Sequence, residues 1–159
     1  YSCFCPTTER DLGDGIGPSR ALHDHGSPLT LGSDSHAVID LFEEMRGVEL
    51  DERLVTRERG HWSAAELLDA ATVTGHASLG FEDAGAIAVG QRADLVTLDT
   101  ASPRTAGTGR DEHTAVFAAT AADVTRVMVD GRVVVTPGDR GDRGDIGREL
   151  AAVIEELTP

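Results

Sequence analysis

The first half of this sequence holds two short apolar runs that read as strands, Tyr1 to Cys5 and Pro28 to Gly32, and helical periodicity follows each. Strand and helix in alternation imply parallel strands joined by crossover helices. A parallel sheet needs both faces covered, and two such strands cannot close one. The pattern therefore describes part of an α/β unit. The chain starts at Tyr1, inside an apolar stretch and without an initiator Met, which reads as a cut.

Pro6 is expected to lead the first strand into a polar loop that runs through Asp11-Leu12-Gly13-Asp14-Gly15-Ile16-Gly17, a stretch rich in glycine. Pro18 suits a first helical position and Gly26 a helix end, which predicts a short helix over 18–25. After the second strand, Val38, Leu41, Phe42, Met45 and Val48 recur at the helical period, with acids and arginines expected on the solvated face. Ser63-Ala64-Ala65-Glu66 has the capping-box spacing and starts a third helix with Leu67, Leu68 and Ala71 on its apolar face. Gly75 and Gly80 are expected to break the chain.

Beyond Gly80 the pattern turns to antiparallel β. Ala86 to Val89 and Ala93 to Leu98 read as short strands; Val124 to Val129 and Arg132 to Thr136 flank Asp130-Gly131, a strong hairpin signal. Residues 100–112 and 138–144 read as loops, and Ile146, Leu150, Val153, Ile154 and Leu157 mark a closing amphipathic helix.

Charge excludes several partners. Fourteen Arg against 28 acids give a net charge of −14, which repels phosphate backbones and anionic lipid, so no nucleic-acid or membrane partner is expected. No run approaches the ~18 apolar residues of a membrane span. Lys is absent, which removes Schiff-base lysine chemistry. Cys3 and Cys5 cannot supply a disulfide framework and read as reduced, buried thiols of a cytoplasmic protein.

Asp34 is the principal candidate for chemistry. It ends a short apolar strand ahead of a helix, the place where a β/α barrel keeps its active-site groups, and a carboxylate there can bind a metal or exchange protons. The alternative is a helix cap. His36, two residues on, is a candidate for the same pocket or for a polar helix start. Ser33 and Glu9 are further pocket candidates, Glu9 also reading as a solvated charge. His23-Asp24-His25 mimics a metal-binding pair, but the end of a helix that precedes a strand lies away from the strand C-termini; the macrodipole explains those histidines better.

Three segments carry a family likeness: Cys5-Pro6-Thr7-Thr8-Glu9, Leu12-Gly13-Asp14-Gly15-Ile16 and Leu31-Gly32-Ser33-Asp34-Ser35-His36. Together they resemble the C-terminal part of the formimidoylglutamate deiminases, a branch of the amidohydrolase superfamily. Ala86 to Val96 and Val127 to Val134 resemble that superfamily's β-sandwich strands. The resemblance implies an α/β fold: residues 1–79 as the last two strand–helix units of a metal-dependent (β/α)8 TIM barrel, 80–144 as a share of a β-sandwich, and 145–159 as a C-terminal helix.

It also implies that the whole enzyme hydrolyses N-formimino-L-glutamate, a small-molecule substrate, to N-formyl-L-glutamate and ammonia in histidine degradation. Asp34 would ligate the one catalytic Zn2+ and carry the proton from the attacking water to the ammonia. The whole protein would be a homodimer. The family's remaining zinc ligands belong upstream of Tyr1, so these 159 residues alone are expected neither to hold zinc tightly nor to turn over substrate. Two other readings stay open: a deaminase of guanine or another aminoheterocycle, and a non-catalytic structural module.

Overall fold

A computed structural model of the chain describes residues 1–35, 38–137 and 146–158. Strands β1 (Ser2–Phe4) and β2 (Leu29–Leu31) lie side by side in parallel, Ser2 opposite Leu29 and Phe4 opposite Leu31. Helices α1 (Pro6–Leu12) and α2 (Ser19–Asp24) connect them. After β2 come α3 (Leu41–Thr56), α4 (Ala64–Ala71) and α5 (Val73–Ser78). A three-stranded antiparallel sheet in the order β3 (Leu95–Leu98), β4 (Val124–Val129), β5 (Arg132–Val135) follows, and then α6 (Ile146–Leu157). Parallel pairing in the first part and antiparallel pairing in the second both agree with the sequence pattern. The expected loop over 138–144 lies outside the described residues.

The core forms where the helices cover β1 and β2. Leu29 of β2, Met45 and Val48 of α3, Trp62, and Ala64, Leu67 and Ala70 of α4 are buried together, with Phe4 and Leu31 packed against them. Val116 joins this cluster from a helical turn at Thr114–Ala118, so the second half of the chain contributes to the core of the first. The Arg46 guanidinium donates to the carbonyl of Ala119, reinforcing that contact. The hairpin is as read: Val129 pairs with Arg132, and Asp130 (φ 49°) and Gly131 (φ 75°) form the left-handed two-residue turn that matches strand twist.

Four local expectations are corrected. Pro6 starts a helix instead of a loop. Its fixed φ suits the first helical position, where its missing N–H costs nothing. Glu9 Oε1 accepts the Cys5 N–H at 2.8 Å across the first turn, and Gly13 (φ 73°) closes the last. Gly75 does not break the chain but lies within α5: a Cβ there would stand 2.9 Å from the Ala70 carbonyl, so glycine permits the tight passage from α4 to α5. Val38 precedes α3, whose cap is Asp40, its carboxylate accepting from Phe42 N at 2.9 Å. Ala86 to Val89 is not a strand. Among the described residues no strand pairs with it, and Ile87 and Val89 are 91% and 108% exposed.

The largest departure concerns the acids of α3. Glu44, Glu49 and Glu52 are buried rather than solvated. Each accepts hydrogen bonds from backbone N–H groups of a neighbouring segment. Glu44 takes Thr7 N (3.0 Å) and Thr7 Oγ1 (2.5 Å) at the start of α1. Glu52 takes Ser19 Oγ and Arg20 N, both at 2.8 Å, at the start of α2. Glu49 takes Gly60 N (2.9 Å) and Trp62 N (2.7 Å) ahead of α4. A helix start carries unpaired N–H donors and partial positive charge, so a carboxylate can be buried there without being stranded. One helix thereby fixes the entry points of three other segments.

A similar arrangement secures the second half. Asp123 is buried and receives a forked pair of hydrogen bonds from Arg104, at 2.8–3.1 Å. Arg104, then Ser102 and the Thr120 N–H, hold the Asp123 carboxyl far below its ordinary value, against the opposing effect of desolvation. A depressed folded pKa stabilises the fold above the unfolded carboxyl pKa, and the contribution is lost as pH falls through the folded value. The expected result is a stability gap between wild type and Arg104→Ala that is full at pH 7 and narrows once the pH drops below ~4. Urea melts across that range measure it, and a gap independent of pH would refute the assignment.

Candidate functional site

β1 and β2 end side by side, and the turn that carries Asp34 follows β2 there. Gly32 N donates to Phe4 O at 3.1 Å, extending the parallel pairing by one bond. The chain then turns through Ser33, Asp34 and Ser35. Asp34 has φ 51°, a left-handed conformation that costs a non-glycine residue ~1–2 kcal/mol, though aspartate tolerates it better than most. Its side chain is exposed and makes no hydrogen bond among the described residues. The capping alternative does not hold, because Asp40 caps α3.

The Cys5-Pro6-Thr7-Thr8-Glu9 segment meets this turn through Thr8 and is itself held in place by hydrogen bonds on either side of it. Thr7 is held by Glu44 and Glu9 is folded back on Cys5 N. The buried Thr8 hydroxyl donates to the Ser33 carbonyl at 2.6 Å, accepts from Ser35 N at 3.2 Å and lies 2.9 Å from Ser35 Oγ. Thr8 is the residue that sequence reasoning overlooks. The available signal is the proline at a first helical position, which would have placed Thr7 and Thr8 in a first turn beneath the strand ends. Of the pocket candidates, Ser33 contributes its carbonyl to Thr8 and Glu9 its carboxylate to the helix start; His36 lies outside the described residues.

Cys3 and Cys5 share a face, both near Gly32: a Cβ on Gly32 would stand 3.4 Å from Cys3 Sγ and 3.2 Å from Cys5 Sγ. Both are free thiols, but Cys3 is exposed and Cys5 half-buried, which corrects the expectation of two buried ones. Burial, then the neighbouring Cys3, then the charges of Asp34 and Glu44 push the Cys5 thiol up to about 12, so it stays neutral beside the Asp34 turn.

The His23-Asp24-His25 segment does not form a ligand pair. His23 packs edge-on to Trp62 with ring centres 5.0 Å apart, while His25 Nδ1 lies 2.7 Å from the carbonyl of Ala21. Arg20 lies over Trp62 and bonds Asp24 and Glu66, so this region is structural. Among the described residues no three His, Cys, Asp or Glu side chains come together as a metal site. The strand ends bring one carboxylate, Asp34, which fits a single position of a zinc coordination sphere and not a complete site. No helix among the described residues is long and apolar enough to cross a membrane.

Known proteins place this arrangement. The formimidoylglutamate deiminase of Pseudomonas aeruginosa is 36% identical over 97% of the chain and 36% of its own length. The 5'-deoxyadenosine deaminase of Methanothermobacter thermautotrophicus is 33% identical over 84% of the chain and 32% of its own length. The chain thus spans about a third of these relatives. Among solved structures, an adenosine deaminase from Xanthomonas campestris with bound zinc superposes with a TM-score of 0.85 at 28% identity, over 97% of the chain and 37% of that protein. Guanine deaminase of E. coli superposes with a TM-score of 0.73 at 26% identity, over 84% of the chain and 33% of that protein. The pattern of the amidohydrolase family matches residues 2–134, with the strand ends and the Asp34 turn inside it, and the chain belongs to the amidohydrolase family.

Proposed function

We propose that the whole protein carrying this chain is a zinc-dependent deiminase that hydrolyses N-formimino-L-glutamate to N-formyl-L-glutamate and ammonia. The observation that carries this reading is the 36% identity to the formimidoylglutamate deiminase of P. aeruginosa over 97% of the chain. The parallel β1 and β2 with their covering helices support residues 1–79 as the last two strand–helix units of a (β/α)8 barrel. The antiparallel strands support 80–144 as a share of a β-sandwich, with 145–159 as its closing helix. A homodimeric, cytoplasmic enzyme of histidine degradation belongs to the same reading.

The role assigned to this chain is that of Asp34. A zinc ion, when bound, would lower the pKa of a water towards ~7. Asp34 lies at a strand C-terminus with its carboxylate exposed and unpaired among the described residues, suited to serve as one oxygen ligand and to move a proton. Its Oδ accepts a proton from the water that adds to the formimino carbon. It then delivers a proton to the amine nitrogen, because ammonia departs only once that nitrogen is protonated.

The matches to 5'-deoxyadenosine deaminase and guanine deaminase favour a second reading, an aminoheterocycle deaminase. Ammonia release by the purified, zinc-loaded whole protein decides between them. Turnover of N-formimino-L-glutamate with none of 5'-deoxyadenosine or guanine is the expected result; the reverse preference sinks the proposal.

A further inference from the structure

We propose that Thr8 is a positioning residue for Asp34, holding the two peptide groups that flank it with one hydroxyl. This rests on the role given to Asp34 above, and it deepens that role. A threonine hydroxyl has one proton to give and two lone pairs to offer. The Thr8 proton goes to the Ser33 carbonyl at 2.6 Å. The lone pairs take Ser35 N at 3.2 Å and the Ser35 hydroxyl at 2.9 Å, which must donate because the Thr8 proton is already committed. The hydroxyl is therefore saturated, and it is buried.

The clamp spans the residue that needs it. Asp34 is one of three non-glycine residues with positive φ among those described, and its side chain has no bond there to hold it. The bonds to Ser33 and Ser35 close a bridge across Asp34 from both sides, and Thr8 sits 25 residues from Ser33 in sequence, on a different strand–helix unit. Thr8 is itself fixed from two directions. Thr7 is tied to the buried Glu44 of α3, and Glu9 closes the first turn of α1 through Cys5 N. Thr-Thr-Glu thus works as three successive anchors that carry the rigidity of α1 and α3 to the Asp34 turn. A carboxylate that must meet both a water and a leaving amine gains from such a fixed backbone, since a displacement of ~1 Å in reacting geometry can cost ~100-fold in rate.

The test uses the whole, zinc-loaded protein as wild type, Thr8→Val, Thr8→Ser and, as a destabilised control distant from the strand ends, Glu49→Gln. Thr8→Val keeps the shape and removes the hydroxyl. The expected result is a kcat for formiminoglutamate lowered roughly 10- to 100-fold with KM within about threefold, and restored to within about threefold of wild type by Thr8→Ser. Glu49→Gln should lose stability but keep kcat. Hydrogen exchange gives a readout that needs no activity: the Ser35 amide should exchange at least about tenfold faster in Thr8→Val than in wild type or Glu49→Gln. If wild type releases no ammonia from formiminoglutamate, the substrate assignment fails on its own and the exchange measurement still decides the clamp. Unchanged Ser35 exchange in Thr8→Val overturns the proposal. So does an equal fall of kcat in Glu49→Gln, or a failure of Thr8→Ser to recover activity. Should Thr8→Val not fold, Thr8→Ala with the same exchange measurement replaces it, and the same outcomes apply.

Discussion

Asp34→Asn in the whole protein should lower kcat for formiminoglutamate by about 10²–10⁴-fold, the range of a lost proton-transfer group. Asparagine is the informative choice at this position. It keeps an oxygen where Asp34 has one, and it is among the few residues that tolerate the left-handed backbone recorded there at φ 51°. Alanine would add backbone strain and confuse a folding defect with a chemical one. Asparagine removes the negative charge and the ability to accept a proton at neutral pH while leaving the Ser33–Ser35 turn and its Thr8 bonds in place. The melting temperature should therefore stay near wild type, and zinc content, measured alongside, reports any loss of the ligand. Steady-state ammonia release supplies kcat. A variant that kept more than about a tenth of wild-type kcat would remove Asp34 from the proton path.

Much of the scaffold was legible in the sequence because it rests on local chemistry. The apolar run through Leu29 and Leu31, the capping box at Ser63 and Glu66, and the Asp130-Gly131 turn each specify their element within a few residues. The errors arose where local composition and tertiary context compete. Pro6 to Leu12 adjoins a glycine-rich stretch, and that neighbour obscured a helix whose first turn is set by Pro6 and Glu9. Ala86 to Val89 has strand composition, yet strand structure requires a pairing partner, and the described residues provide none. The position of Asp34 at a strand end could be read; what holds it there could not, because Thr8 and Ser33 are 25 residues apart and meet only through parallel pairing. The buried acids of α3 posed the same problem. A helical wheel assigns Glu44 and Glu49 to solvent by residue type, whereas the unpaired N–H groups that justify their burial belong to other segments.

That reversal carries the largest expected effect on stability. Glu49 is fully buried, with three donors on its carboxylate: Arg53 Nε at 2.7 Å, Trp62 N at 2.7 Å and Gly60 N at 2.9 Å. Burial opposes its ionisation, but the hydrogen bonds from Arg53, Gly60 and Trp62 outweigh that cost and hold its carboxyl below the usual value. Glu49→Gln keeps the size and one carbonyl oxygen. Its amide nitrogen, however, must face a donor, so a backbone N–H or the Arg53 guanidinium is left without an acceptor. An orphaned buried donor costs ~1–3 kcal/mol and a broken buried ion pair ~3–5 kcal/mol. Arg53 can turn partly to water, because its side chain is 27% exposed, so a loss of about 3 kcal/mol is expected. The position of Trp62 sets how far the damage spreads, since its ring lies in the core and its Nε1 donates to Ser19 Oγ at 3.0 Å. Loosening Gly60 to Trp62 therefore loosens the start of α2 as well. Urea denaturation with an unchanged m-value measures the loss, and faster amide exchange at Gly60 and Trp62 locates it. A cost below about 1 kcal/mol would mean that the N–H groups find water in the variant and that Glu49 fixes no segment.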